Sequence, residues 1–99
     1  MDNKIEKFQI SEILEELNLP PDSEYLGYGI HRPDTDEYVM LASDSKDCSL
    51  WLWSSTPIGA FKFQDYAYVT ELASKYDKAP VEVGIIFDIG PGVIFATNK

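Results

Sequence analysis

The stretch VEVGIIFDI, residues 81–89, constrains the fold more than any other part of the chain. Val81, Val83, Ile85, Phe87 and Ile89 alternate without a break, and a two-residue period puts them on one face of an extended strand. The remaining segments offer partners for that strand. EYLGYGIHRP, from Glu24, alternates Leu26, Tyr28, Ile30 and Arg32 against Tyr25, Gly27, Gly29 and His31. PDTDE at 33–37 has turn chemistry, YVMLAS follows, and DSKD at 44–47 turns again before a strand from about Cys48 to Ser54. These three predict an antiparallel meander. GPG at 90–92 bends the chain into a last strand, VIFAT.

Two segments have the helical period instead. Ile10, Ile13, Leu14 and Leu17 follow the i, i+3, i+4, i+7 rule. Ser11 can cap this helix, Ile5 and Phe8 allow an earlier start, and Asn18 with Pro20 and Pro21 ends it. Asp65 is the expected N-cap of a second helix from Tyr66 to about Tyr76, with Val69, Leu72, Ala73 and Tyr76 as its apolar stripe. Between them TPIG at 56–59 breaks the pattern, and AFKF reads as a short extended piece with Phe61 and Phe63 on one side. The order is α-β-β-β-α-β-β. It predicts an α+β fold: an antiparallel sheet of about five strands with two helices packed on one face, in a single domain over residues 1–99.

The strand SLWLWS poses the sharpest question of orientation. Trp51 and Trp53 share one face, and Leu50 and Leu52 share the other. In one assignment the leucines meet the helices and the indoles look outward as a contact patch, extended by Tyr25 and Tyr38. In the other the indoles belong to the core, beneath which Gly27 and Gly29 leave room for a large ring.

Charge is unevenly placed. The net charge is −9, with twelve acids against four bases in residues 1–50 and five against four in residues 51–99. Such a chain repels phosphate backbones, so direct nucleic-acid binding is not expected. It attracts basic protein surfaces. The acidic side is expected to comprise Glu12, Glu15, Glu16, Asp22, Glu24, Asp34, Asp36 and Glu37, with Trp51 and Trp53 as the apolar anchor.

Chemistry-bearing patterns are sparse. His31 is the one histidine and Cys48 the one cysteine, too few for a His- or Cys-based metal centre. His31 as a general base requires an orienting carboxylate, with Asp34 and Asp36 the near candidates. DTDE at 34–37 opens like a calcium loop but runs straight into strand residues. GYG and GPG lack the strand–glycine–helix arrangement of a phosphate loop. No cofactor or metal is expected, and no enzymatic activity. The unpaired Cys48, a start without a leader pattern and apolar runs far short of a membrane span predict a soluble, cytoplasmic chain. The expected function is a small acidic protein-binding module, of inhibitor or immunity type, that occludes a basic surface. The alternatives are a small-ligand domain with an aromatic pocket near Trp51, Trp53, Tyr28 and His31, or a structural homodimer.

Overall fold

In the computed structural model, which describes residues 7–44 and 49–97, the alternating stretch near the C-terminus forms β4, Glu82–Asp88. It pairs with β1, Glu24–Arg32, on one side and with β5, Val93–Ala96, on the other. Beyond β1 lie β2, Glu37–Asp44, and β3, Ser49–Ser54. The sheet order is β3-β2-β1-β4-β5, antiparallel throughout. With α1, Lys7–Glu16, and α2, Tyr66–Ser74, this is the expected α+β fold. Ile5, the turn at 45–47 and Cys48 lie outside the described residues.

Both helices cover the same sheet face. Val69, Leu72 and Ala73 of α2 pack with Tyr28, Ile30, Val39 and Phe63 in one core cluster. Ile13 and Leu17, on and just past α1, border a small crevice with Ile85 and Ala96. Ile85 stands opposite Tyr28 in the β1–β4 register, so it belongs to that face too. Full burial of Phe87, Ile30, Ile86, Val39 and Val69 stabilises by about 1.5–3 kcal/mol for each side chain. Helix α2 starts at its predicted cap: the Asp65 carboxylate accepts from the Tyr68 N–H at 3.1 Å. Helix α1 stops at Asn18, which takes a left-handed φ of 59°. There the Leu19 N–H reaches back to the Leu14 carbonyl and the Asn18 N–H to that of Glu15, satisfying carbonyls the helix leaves open.

Two bulges correct the simple alternation. The β1 register shifts between Tyr25 and Gly27, and that of β2 between Val39 and Leu41. Leu26 and Met40 are the extra residues. A bulge inserts one residue and reverses the alternation beyond it. Tyr25 therefore joins the helix face, its ring 5.9 Å from that of Tyr28 and 6.5 Å from that of Phe87.

The sheet also divides. β1 and β2 pair at His31–Tyr38 and Arg32–Glu37, next to the turn that joins them. Farther along, the piece read as AFKF enters between them. Tyr28 and Phe63 exchange both backbone hydrogen bonds, at 2.8 and 2.9 Å, and the Phe61 N–H donates to the Val39 carbonyl at 2.9 Å. Gly27 permits the approach: it has φ +150°, and a Cβ there would stand 2.8 Å from the Phe63 carbonyl oxygen. The 3₁₀ turn Pro57–Gly59 lies against β2 and β5.

The space expected to receive a tryptophan is filled otherwise: over Gly27 by Phe63, Gln64 and Lys62, and over Gly29 by Ile86 and Phe95. A Cβ on Gly84 would lie 2.5 Å from the Phe95 ring, and one on Gly29 would meet Ile86 at 2.7 Å and Phe95 at 3.5 Å. Phe95 thus lies across the sheet face away from the helices, where no tryptophan is aimed.

Candidate functional site

Side-chain direction along β3 settles the tryptophan question. Val39 stands opposite Trp53 and Ala42 opposite Trp51, and all four pack on the helix-side core. The indoles therefore do not form an outward patch away from the helices. They are half-buried and nearly parallel, with ring centres 6.2 Å apart and planes at 19°. Tyr76, just past α2, sets its ring edge-on to both, at 4.9 Å from Trp51 and 5.2 Å from Trp53. The Arg32 guanidinium stands 5.9 Å from the Trp53 and Tyr76 rings. It donates to the Tyr76 hydroxyl at 3.0 Å and to the Asp34 carboxylate at 2.7 and 3.2 Å. That two-point grip holds the Asp34 carboxyl below the usual carboxylate range. Beside these rings opens a cleft of about 520 Å³, bordered by Leu50, Trp51, Trp53 and the segment Lys75–Lys78.

The opposite side of the β2–β3 pair is aliphatic and open. Leu41 faces Leu52 across the strands, and Leu50 follows two residues away on the same side. They are exposed, with Met40 at the bulge beside them. Ordinarily such an edge face is polar.

His31 lies on that same outward side of the sheet, in β1. Its Nδ1 is 2.7 Å from Glu82 and its Nε2 2.8 Å from Asp36. Tyr38 and Phe95 cover its ring at 4.7 and 5.2 Å. Asp36, in the left-handed region at φ 55°, is the expected nearby carboxylate. Asp34 turns to Arg32 instead. With both ring nitrogens held by carboxylates and the side chain 13% exposed, no nitrogen is presented to a substrate. The cluster ties β1, β2, β4 and β5 together. Among the described residues, no group of three or more His, Cys, Asp or Glu side chains converges as metal ligands.

The eight carboxylates expected to share a side fall into two groups. Glu12, Glu15, Glu16, Asp22 and Glu24 are exposed along α1 and its connection to β1. Asp34, Asp36 and Glu37 lie at the far end of β1, which at ~3.3 Å per residue puts Glu24 and the turn roughly 25 Å apart. Asp34 and Asp36 are engaged by Arg32 and His31. The aromatic pocket expected near Tyr28 and His31 is likewise divided. Tyr28 packs on Tyr25 and Tyr66, and His31 is on the opposite face.

Sequence reading missed Lys75, Tyr76 and Lys78 as neighbours of the tryptophans. Tyr76 showed only as the end of an apolar stripe, and the residues that follow carry no local signal. Comparison of the chain with protein families, curated proteins and solved structures found no match. No helix among the described residues is long and apolar enough to cross a membrane.

Proposed function

We propose that this chain is an acidic protein-binding domain that covers a basic surface of its partner, docking through the outward aliphatic side of β2 and β3. The observation behind this reading is the cluster Met40, Leu41, Leu50 and Leu52, exposed at 43%, 45%, 42% and 39%, on a chain of net charge −9. Exposed aliphatic residues scattered singly need no explanation, but a gathered patch favours contact. Charge selects the occupant. Two copies of this chain repel each other, whereas a basic partner is drawn in, faster at low salt. The leucines, rather than the tryptophans, supply the apolar anchor. The two carboxylate groups act at longer range, by steering. Binding occludes the partner's surface without chemical turnover.

Affinity capture with the wild-type chain and with the double variant Leu41→Ser/Leu52→Ser tests this. A basic protein held by the wild type, lost from the variant and released by moderate salt is the expected result. Retention of the same proteins by both, an acidic partner, or a homodimer that the double variant dissolves would overturn the reading.

A further inference from the structure

We infer that the cleft between the Trp51–Trp53 pair and the Lys75–Lys78 segment binds a flat aromatic ring that carries an anionic group. It opens on the helix side of β3 and meets the aliphatic patch only at Leu50, which borders both; the inference does not depend on the protein-docking reading.

Three observations meet there. The first is shape: at about 520 Å³ the cleft is within the range of small-molecule sites, which run from about 300 to 1,000 Å³. The second is the wall. Two half-buried indoles lie within 19° of parallel, and Tyr76 braces both edge-on. Arg32 holds Tyr76 through its hydroxyl, and Asp34 fixes Arg32 in turn. A planar ring packed against this braced aromatic group gains edge-to-face or offset-stacked contact with little ordering of the protein.

The third observation is charge. Four cations have described side chains: Arg32, Lys62, Lys75 and Lys78. Lys62 donates to the carbonyls of Pro57 and Ile58, and the other three all border this aromatic group. In a chain of net charge −9, two of the described lysines, Lys75 and Lys78, stand at the cleft and offer an anion cationic neighbours. Asp77 between them leaves the segment one positive charge in excess. A single carboxylate, sulfate or phosphate suits that balance better than a polyanion. The lysines favour an anion over a neutral ring, and the indoles favour a ring over an aliphatic acid.

Naphthalene-2-carboxylate is a suitable probe, followed through the indole N–H resonances of Trp51 and Trp53. The neutral naphthalene-2-methanol and the non-aromatic cyclohexanecarboxylate serve as its counterparts. Saturable shifts of both indole signals are expected with the carboxylate. Binding should weaken about tenfold for the neutral ring, and by a similar factor in Lys75→Gln/Lys78→Gln, whose exposed positions leave the fold intact. The aliphatic acid should leave the indoles unmoved. The inference is overturned by an absence of saturable indole shifts, by equal binding of the neutral ring, by lysine variants that bind as the wild type does, or by shifts confined to the Leu41 and Leu52 methyls.

Discussion

The two edges of β1 are built differently. Toward β4 the register runs from Glu24–Asp88 to His31–Glu82, interrupted by one bulge. Toward β2 it covers His31–Tyr38 and Arg32–Glu37, and the strands then part around Phe63. One edge is a ladder and the other a seam closed by a wedge. The ladder ties β1 to β4, and β5 extends it. The seam lets β2 and β3 stand off as a wing, with aromatic rings on its inner side and leucines on its outer side. Both candidate surfaces lie on that wing. Stability and recognition are therefore expected to divide between the two edges.

The largest effect should come from the ladder side. Phe87 is fully buried, and Phe87→Ala should cost about 3–5 kcal/mol in denaturant-induced unfolding. Loss of less than about 1 kcal/mol would show that this side is not the main source of stability. Phe63→Ala, at the seam, should cost somewhat less, about 3 kcal/mol. Its signature is local: amide exchange should accelerate at Tyr28 and Phe61 more than at Ile85. A uniform acceleration would mean that seam and ladder open together.

Alkali offers a graded probe of the same contrast. Burial raises the phenol pKa of Tyr25, with added contributions from the charge and hydrogen bond of Tyr28. Tyr28 is raised by burial despite an opposing hydrogen bond from Tyr25, and Tyr38 is raised by burial and by the Asp36 and Glu82 charges. Above about pH 10 the unfolded chain releases phenolic protons that the folded chain keeps, so stability is present below that pH and falls as pH rises through it. Tyrosine ultraviolet titration should show a late class of phenols that becomes normal in urea. Titration of every tyrosine at once would contradict the burial of Tyr25, Tyr28 and Tyr38. The smallest stability effect belongs to the wing's outer side. Leu52→Ser should change unfolding free energy by no more than about 0.5 kcal/mol while weakening partner capture. A large loss of stability would mean that the leucines are structural after all.

Much of the fold is legible locally because each element declares its own period. The alternation from Val81 to Ile89 becomes β4, Asp65 caps α2, and Asn18 ends α1. The bulges at Leu26 and Met40 are not legible. An extra residue in a strand leaves no mark in composition, and it reverses the face of everything beyond it. The tryptophan strand shows the same limit. Its alternation could be read, but which side met the helices depended on Val39 and Ala42 across the sheet. The candidate sites were less legible still. Trp51 and Trp53 were singled out as apolar anchors, yet their cleft needs Tyr76 and Lys78, more than twenty residues away in the chain. His31 had Asp36 close by in sequence, but Glu82 and Phe95 reach it through sheet pairing.

By itself, the sequence determined the element types, their order and the surplus of negative charge, because these follow from periodicity, capping and counting within short windows. Only the tertiary structure decided which face of each strand is covered, that Arg32, Lys75 and Lys78 border the tryptophans, and that the acidic side chains named above split between two ends of β1. Those outcomes depend on cross-strand register and on a wedge inserted between β1 and β2. Both are contacts between residues distant along the chain, for which no local pattern exists.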